Sequence, residues 1–191
     1  MSIRPTVISL FSGAGGSALG YRLGGFNELL GIDINETACN TFQHNFPLTP
    51  AWNRDISSVE VSEILQYIDI DVGELDVLDS SPPCQGFSIC GSRDIGDKRN
   101  DLFLETGRFI EGLRPKVFLI ENVPGLMTGK MKGKFNRIVR RLHFTGYKLK
   151  WKSINTIYYN VPQSRQRLIF LGVRNDLSVE PTFPQPNSKV K

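Results

Sequence analysis

A cysteine in a stiff loop is the first residue of this chain whose type and setting suggest chemistry. Cys84 stands in SSPPCQGFS, directly after a strand-like run and behind Pro82 and Pro83. Because proline fixes φ, two prolines limit how far this loop can move. A thiol must ionise before it attacks a substrate, which requires positive or hydrogen-bonding neighbours. We predict that Cys84 is a nucleophile, and the alternative is a small buried side chain.

An acid and two arginines follow later in the chain. Glu121 ends the apolar run KVFLIENV, and Arg165 and Arg167 belong to QSRQR just before another apolar run. Glu121 would donate a proton if burial raised its pKa, or would form an ion pair with a basic side chain, and the sequence favours neither. The arginines suit a phosphate, a carboxylate or a base edge, and otherwise form a surface pair of cations.

A glycine-rich turn provides a candidate nucleotide site. FSGAGGSA fits the pattern G-x-G-x-x-G/A between a predicted strand and a predicted helix, and Asp33 closes the next strand, 18 residues after Gly15. Glycines allow a ligand to approach the backbone, and an acid in this place accepts hydrogen bonds from ribose hydroxyls. Asp55, in NRDIS, would reach an adenine amino group or cap a helix. A turn without a ligand is the alternative, and the pattern does not distinguish a dinucleotide, a nucleotide and S-adenosylmethionine.

The elements that position these residues alternate between strands and helices. Strands are predicted at 6–11, 29–33, before Asp55, at 75–81 and at 116–123, helices at 17–24, 36–46, 61–68, 101–113 and 132–145, and a terminal hairpin at 147–159 and 167–173. This order predicts an α/β fold with a doubly wound, mostly parallel sheet and an antiparallel strand near the C-terminal end. Ligands of such sheets bind beyond the carboxyl ends of the strands, where the candidate residues fall.

Composition and charge limit the class of protein. The chain has 191 residues and a net charge of +4, which divides into 3 basic and 11 acidic side chains over residues 1–90 and 20 basic and 8 acidic over 91–191. A basic half suggests a polyanionic partner, and a solvated basic surface is the alternative. We predict one catalytic domain over 1–175 and an extended, proline-containing tail over 176–191.

Cysteine usage and hydropathy indicate the compartment. The three cysteines form no CxxC pair and only two histidines accompany them, so we predict neither a disulfide framework nor a metal site. Cys39 and Cys90 are interpreted as small buried side chains. No apolar run is long enough to span a bilayer and no signal peptide is recognisable, so we expect a cytoplasmic protein without membrane association.

Together these motifs resemble those of the C5-cytosine DNA methyltransferases, over roughly residues 6–174. FSGAGG, ID, RDI, PPCQGFS, RNDLF, ENV and QSRQR follow one another in the order of that family. The resemblance implies the cofactor S-adenosylmethionine, held by Phe11, Ser12, Gly13, Gly15, Gly16, Asp33, Ile34, Asp55, Ile56, Pro82 and Leu102. It implies catalysis by Cys84, Glu121 and Arg165, and substrate contacts by Pro83, Gln85, Ser88, Asn122, Val123, Gln163 and Arg167.

The resemblance also implies a mechanism on double-stranded DNA. The Cys84 thiolate would add to carbon 6 of cytosine, Glu121 would hold or protonate ring nitrogen 3, and Arg165 would help fix the base. The cytosine must be flipped out of the duplex to reach these groups. The loop 86–100 and the lysines at 130, 132 and 134 would contact phosphates.

The sequence departs from the family after the arginine motif, because only 17 residues follow Arg174. The family continues there with a target recognition region and two closing motifs. We therefore expect a second protein chain to supply them, and a truncated fragment is the alternative. A transfer-RNA cytosine methyltransferase and a non-catalytic methyltransferase-like module are the competing functions, whereas a nicotinamide-dependent oxidoreductase leaves PPCQ and QSRQR unexplained.

Overall fold

A computed structural model describes residues 4–83, 102–127 and 132–187 of the chain. The seven strands are β1 Thr6–Leu10, β2 Asn27–Asp33, β3 Ala51–Asn53, β4 Val77–Ser80, β5 Val117–Asn122, β6 Tyr147–Asn155 and β7 Gln166–Arg174. The five helices are α1 Gly16–Leu23, α2 Glu36–Asn45, α3 Val61–Ile68, α4 Leu102–Leu113 and α5 Lys132–Phe144. The predictions for Cys84, Gln85, Ser88, the loop 86–100 and Lys130 lie outside the described residues.

The strands form one sheet in the order β3-β2-β1-β4-β5-β7-β6. Neighbouring strands from β3 to β5 pair in parallel, whereas β7 is antiparallel to both β5 and β6. This confirms the predicted mostly parallel sheet with an antiparallel strand near the C-terminal end. Because β7 is reversed, it begins at the edge of the sheet where β1, β2, β4 and β5 end. We call this edge the carboxyl edge.

Two apolar clusters hold the helices on the sheet. The larger one includes Phe109 of α4 and Phe118 and Phe170 of the sheet, and all three side chains are fully buried. The smaller one contains Phe42 and Phe46, from α2 and the residue that follows it, and Ala18 of α1. Side chains alternate along β2, where Leu30 and Ile32 join the larger cluster and Gly31 faces Phe42, so the clusters lie on opposite faces.

Several predicted strand boundaries were wrong by one or more residues, and two of these errors involve polar side chains. β2 begins at Asn27, two residues before the predicted apolar run, and includes the buried Glu28. The run 147–159 was predicted as one strand, but β6 ends at Asn155. The Asn155 side-chain oxygen accepts a hydrogen bond from the Ile157 N–H at 3.3 Å and starts the 3₁₀ turn Thr156–Tyr159.

The tail is described as far as Asn187, and this part contains no helix or strand. Glu180 forms ion pairs with Lys148 and Lys150 of β6, with N–O distances of 3.3 and 3.7 Å. The Asn187 N–H donates to the Tyr158 carbonyl at 2.7 Å. These contacts attach the tail along β6 and beside the turn that follows it.

Candidate functional site

The carboxyl edge holds every described part of the predicted site. The glycine turn follows β1, and Asp33 ends β2. Pro82 and Pro83 follow β4, and Glu121 is the second-last residue of β5. The reversed β7 brings the arginine motif to the same edge, because Arg167 is its second residue. In the middle of this edge, the Ser81 N–H after β4 donates to the Leu10 carbonyl of β1 at 3.3 Å.

Asp33 fixes the glycine turn through main-chain amides. Its two carboxylate oxygens accept hydrogen bonds from the Gly13 and Asn35 N–H groups, each at 2.8 Å. The Ser12 N–H donates to the Ile32 carbonyl at 3.0 Å, so the turn is bonded twice to β2. Phe11 has a positive φ of 57°, which turns the chain sharply out of β1. One side chain therefore determines both the shape of the turn and the end of β2.

The glycines of this turn have different roles. Gly15 has a φ of +92°, and a Cβ atom there would lie 2.6 Å from the Phe46 ring. This position therefore requires glycine for backbone conformation and for packing. A Cβ at Gly13 or Gly16 would meet no atom of the described residues within 4 Å, so these two positions face open space in this part of the structure.

Other features of the turn suit a bound molecule. The Ser12 hydroxyl oxygen is buried and has no hydrogen-bond partner among the described residues. Ile34, directly after Asp33, exposes 69% of its apolar side chain at the carboxyl edge. A buried polar atom without a partner is costly, and an exposed aliphatic side chain gains from cover.

Asp55 caps the 3₁₀ turn Ile56–Ser58, which is the alternative that the sequence left open. Its Oδ1 atom accepts hydrogen bonds from the Ser57 N–H and hydroxyl, at 2.9 and 2.8 Å. The buried Ile56 is held from α4, where Arg108 donates to the Ile56 and Val59 carbonyls at 3.0 and 2.9 Å. Sequence reasoning missed Arg108. The available signal was Glu105, three residues earlier on the same helix, which forms an ion pair with Arg108 at 2.8 Å and fixes its side chain. The adenine contact of Asp55 stays a prediction.

The described residues that precede and follow the segment containing Cys84 in the chain belong to the loop after β4 and to the first turn of α4. Pro82 is buried and Pro83 is exposed, and Leu102 is partly buried against the larger cluster. Cys39, the described free cysteine, is buried as predicted, and burial raises the pKa of its thiol.

Glu121 forms an ion pair with Arg167. The Glu121 Oε1 atom lies 2.5 Å from the Arg167 Nε atom, and both side chains are partly buried. The structure thus shows the ion-pair interpretation of Glu121. Next to it, Asn122 is buried and its Oδ1 atom accepts a hydrogen bond from the Val123 N–H at 2.9 Å, which fixes the end of β5.

Arg165 differs from Arg167, because its side chain is exposed and has no bond to another described side chain. Its backbone is fixed: the N–H donates to Asn155 Oδ1 at 3.1 Å, and the carbonyl accepts from the Thr156 N–H at 3.0 Å. The Gln163 carbonyl accepts from the Thr156 hydroxyl at 2.6 Å. The main chain of the motif is thus held while the Arg165 side chain stays accessible.

Two buried acids lie close to Tyr21 of α1, and sequence reasoning missed them. Burial raises the pKa of Asp79, in β4, to about 6, and the charge of Glu121 adds to this rise. Burial also raises the pKa of Glu28 to about 8 and raises that of Tyr21, whose hydroxyl donates to Asp79 Oδ1 at 3.4 Å. The available signal was an acid inside each of two apolar strand sequences, NELLGID and VLDS.

Two other classes of site receive no support from the described residues. None of the helices there has the length and apolar content required to cross a bilayer. Residues 4–83, 102–127 and 132–187 contain no group of three or more histidine, cysteine, aspartate or glutamate side chains arranged to hold a metal ion.

Comparisons with known proteins agree on one family. The family model for C-5 cytosine-specific DNA methylase matches residues 5–191. The Type II methyltransferase M1.HphI of Haemophilus parahaemolyticus is 40% identical over 190 residues, which cover 95% of this chain and 49% of that protein. The Type II methyltransferase M.AquIA of Picosynechococcus is 34% identical over 94% of this chain and 75% of its own length.

Solved structures show the same relationship. An Escherichia coli prophage protein described as a DNA modification methyltransferase superposes with a TM-score of 0.81 and 32% identity, over 93% of this chain and 49% of its own. A Spodoptera frugiperda DNMT2 variant superposes with a TM-score of 0.74 and 25% identity, over 96% of this chain and 56% of its own. The chain spans about half the length of most of these relatives. From its fold, its motifs and these matches, the chain belongs to the C-5 cytosine-specific DNA methylase family.

Proposed function

We propose that this chain is the catalytic part of a DNA (cytosine-5-)-methyltransferase, which transfers a methyl group from S-adenosylmethionine to carbon 5 of a flipped cytosine. The observation that carries the proposal is the arrangement of the carboxyl edge. The turn held by Asp33 lies on one side of the loop that leads to Cys84, and the Glu121–Arg167 pair lies on the other. A methyl donor and a base bound on these two sides would meet at that loop.

The residues of the glycine turn fit S-adenosylmethionine. The open space at Gly13 and Gly16 admits a ligand against the backbone, and the Ser12 hydroxyl has a free hydrogen-bonding capacity. Asp33 would accept hydrogen bonds from the ribose, and Ile34 would cover the adenine. When bound, the cofactor supplies an electrophilic methyl group on a sulfonium.

Cys84 would make carbon 5 reactive. Carbon 5 of cytosine is too weak a nucleophile to accept a methyl group unaided. A bond from the Cys84 thiolate to carbon 6 moves an electron pair toward carbon 5 and ring nitrogen 3, and Glu121 would hold or supply a proton at that nitrogen. After methylation, loss of the proton on carbon 5 returns an electron pair to the ring and releases the thiolate.

The two arginines would divide the remaining work. Arg167, through its ion pair, would fix the orientation of the Glu121 carboxylate, and is thus a positioning residue. Arg165, whose guanidinium is accessible on a fixed backbone, would contact the base and the charge that develops on it. This division assigns the accessible arginine to the substrate and the paired arginine to the acid.

We further propose that a second protein chain supplies the target recognition region. Four to six base pairs cannot be read without side chains presented to the groove, and the relatives that are about twice as long have room for them. M.AquIA, of which this chain spans 75%, has much less additional length. Methylation assays with and without a candidate partner test this part, and full sequence-specific methylation by this chain alone would contradict it.

A covalent trap tests the catalytic proposal. We expect DNA that carries 5-fluorocytosine to form a stable adduct with the protein and S-adenosylmethionine, because fluorine replaces the proton that must leave carbon 5. Cys84→Ala should abolish the adduct, whereas the matched thiol variant Cys39→Ala should still form it. Denaturing electrophoresis and mass spectrometry measure the product. An adduct that survives Cys84→Ala would refute the assigned nucleophile.

A further inference from the structure

Helix α5 has a charge pattern that the proposed catalytic site does not explain. Its sequence, KGKFNRIVRRLHF, contains five lysine and arginine residues and no aspartate or glutamate. Phe135, Val139 and Leu142 pack against the larger apolar cluster. Lys132, Arg137 and Arg140 are exposed, and we call these three residues the α5 basic face.

The α5 basic face lacks acidic partners, as do the exposed Arg4, Arg22 and Arg165, whereas several other described cations have them. Glu63, Glu105, Asp76, Glu180 and Asp176 each pair with a lysine or arginine elsewhere in the fold. On α5, Arg141 lies 3.6 Å from Glu111 of α4, but no described ion pair includes a residue of the α5 basic face. These charges are therefore free to meet an anion.

Stability of the helix does not account for this pattern. Arg137 and Arg140 are three residues apart, and like charges at this spacing destabilise a helix. A positive charge in the first turn, as at Lys132, opposes the helix dipole, whereas Arg140 near the C-terminus is favoured by it. A helix that gathers like charges against its own stability is most simply explained by a polyanionic partner.

The position of α5 indicates which polyanion. The helix follows the 3₁₀ turn Pro124–Met127, which comes directly after the Glu121 end of β5, and it leads down to β6. From Lys132 to Arg140 the helix rises about 12 Å. Phosphates of one DNA strand are about 3.4 Å apart along the duplex axis, so this distance corresponds to roughly three or four of them.

We propose that the α5 basic face contacts backbone phosphates of duplex DNA outside the base pocket and adds sequence-independent affinity. The choice of DNA as the polymer rests on the proposed function. The contact extends the surface that holds DNA beyond the carboxyl edge, along a helix that takes no part in the reaction.

Salt-dependent binding tests this proposal. The affinity of the protein for a duplex several helical turns long is measured across a salt series, for the wild type and for Arg137→Gln/Arg140→Gln. The slope of log K against log salt is negative, and each lost phosphate contact reduces its magnitude by about 0.9. We therefore expect the magnitude of the slope to be smaller by about 2 in this variant. Arg137→Lys/Arg140→Lys should restore the slope because it restores the charge.

The matched control removes two exposed arginines from another region. Arg4→Gln/Arg22→Gln causes the same change in net charge near the beginning of β1 and the end of α1, and we expect the wild-type slope. A slope for Arg137→Gln/Arg140→Gln equal to that of this control would overturn the proposal. Binding to polyglutamate is measured for the same proteins. If Arg137→Gln/Arg140→Gln lost this binding while its DNA binding stayed unchanged, the proposal would also be overturned, in favour of an acidic protein partner.

The test separates this inference from the catalytic proposal. Methyl transfer to a duplex of one helical turn, assayed in parallel, should not differ between Arg137→Gln/Arg140→Gln and the wild type. With the candidate partner chain present, absence of methyl transfer by every variant would refute the proposed function, while the difference in salt slope would still decide the role of α5.

Discussion

The two sides of the carboxyl edge are held by different kinds of groups. Main-chain groups dominate on the glycine side, and charged side chains dominate on the arginine side. On the glycine side, the Asp33 carboxylate accepts hydrogen bonds from main-chain N–H groups, and Gly15 packs against Phe46. On the arginine side, the Glu121–Arg167 pair joins two long side chains near the surface. The shape of the glycine side therefore depends on backbone conformation and packing. The arginine side depends on a charge pair that single substitutions and salt can disturb.

The largest effect is expected from Gly15→Ala, which tests the backbone origin of the glycine side. A methyl group there would clash with Phe46 at a positive φ, so we expect a loss of about 3 kcal/mol in the free energy of unfolding. Urea denaturation measures it. Gly16→Ala, which meets open space, should leave stability nearly unchanged but weaken S-adenosylmethionine binding in calorimetry. Equal destabilisation by both variants would contradict the separation of roles.

Glu121→Gln tests the arginine side. We expect methyl transfer to slow by on the order of 10² or more with cofactor affinity intact, because the neutral amide forms no ion pair with Arg167 and does not exchange a proton with the base. Single-turnover kinetics measure the rate. Arg167→Gln should reduce the rate as well, and combining both substitutions should cost less than the sum of the single losses. An unchanged rate for Glu121→Gln would remove this acid from the mechanism.

A pH series should show the titration of Glu28, a buried acid near the beginning of β2. Burial raises the pKa of Glu28 from 4.5 to about 8, so the folded protein holds a proton that the unfolded chain releases in this range. Stability from this group is full below pH 4.5 and is lost as pH rises to about 8. Between about pH 6 and about pH 7.5 the loss is about 2 kcal/mol, at about 1.4 kcal/mol per pH unit.

Glu28→Gln should remove most of this pH dependence of the unfolding free energy. A weaker dependence from Asp79 should remain at lower pH, because its pKa is raised only from 3.8 to about 6. Glu36→Gln, which changes an exposed carboxylate of α2, is the matched control. The assignment to Glu28 would be wrong if its variant kept the full wild-type slope.

The smallest effect is expected at the opposite edge of the sheet, where Lys116 joins Asp76 at 2.6 Å. Both side chains are partly exposed, and Asp76 keeps two bonds from Thr6, at 2.7 and 3.0 Å, when the lysine is removed. We expect Lys116→Met to lower the unfolding free energy by less than about 1 kcal/mol and to leave methyl transfer unchanged. A large loss of activity would show that this edge influences the site.

Sequence reasoning succeeded where apolar periodicity decided the structure. The helix at 61–68 was predicted with the bounds that α3 has, and both strands of the terminal hairpin were found. It also placed the glycine turn, Asp33 and Glu121 at one edge, because chain order and parallel pairing determine that edge.

Sequence reasoning failed where a polar side chain interrupted the apolar pattern of a strand. Asn155 ended β6 early, and β2 began before the predicted run 29–33 and included the buried Glu28. The partner of Glu121 was also left open, because the pairing of β5 with β7 places Glu121 opposite Ile169, and only three-dimensional geometry shows that Arg167 reaches it. Such contacts depend on register and rotamers, which residue types alone do not encode.

The reversed direction of β7 has an evolutionary consequence. The loops that leave β1, β2 and β4 lead into helices and crossover connections, so a change in their length must be absorbed by helix packing. Residues 156–165, by contrast, join two neighbouring antiparallel strands at the same edge. Insertions there alter the reactive edge without repacking a helix, so this is the segment where related proteins can diversify at the least cost to the rest of the fold.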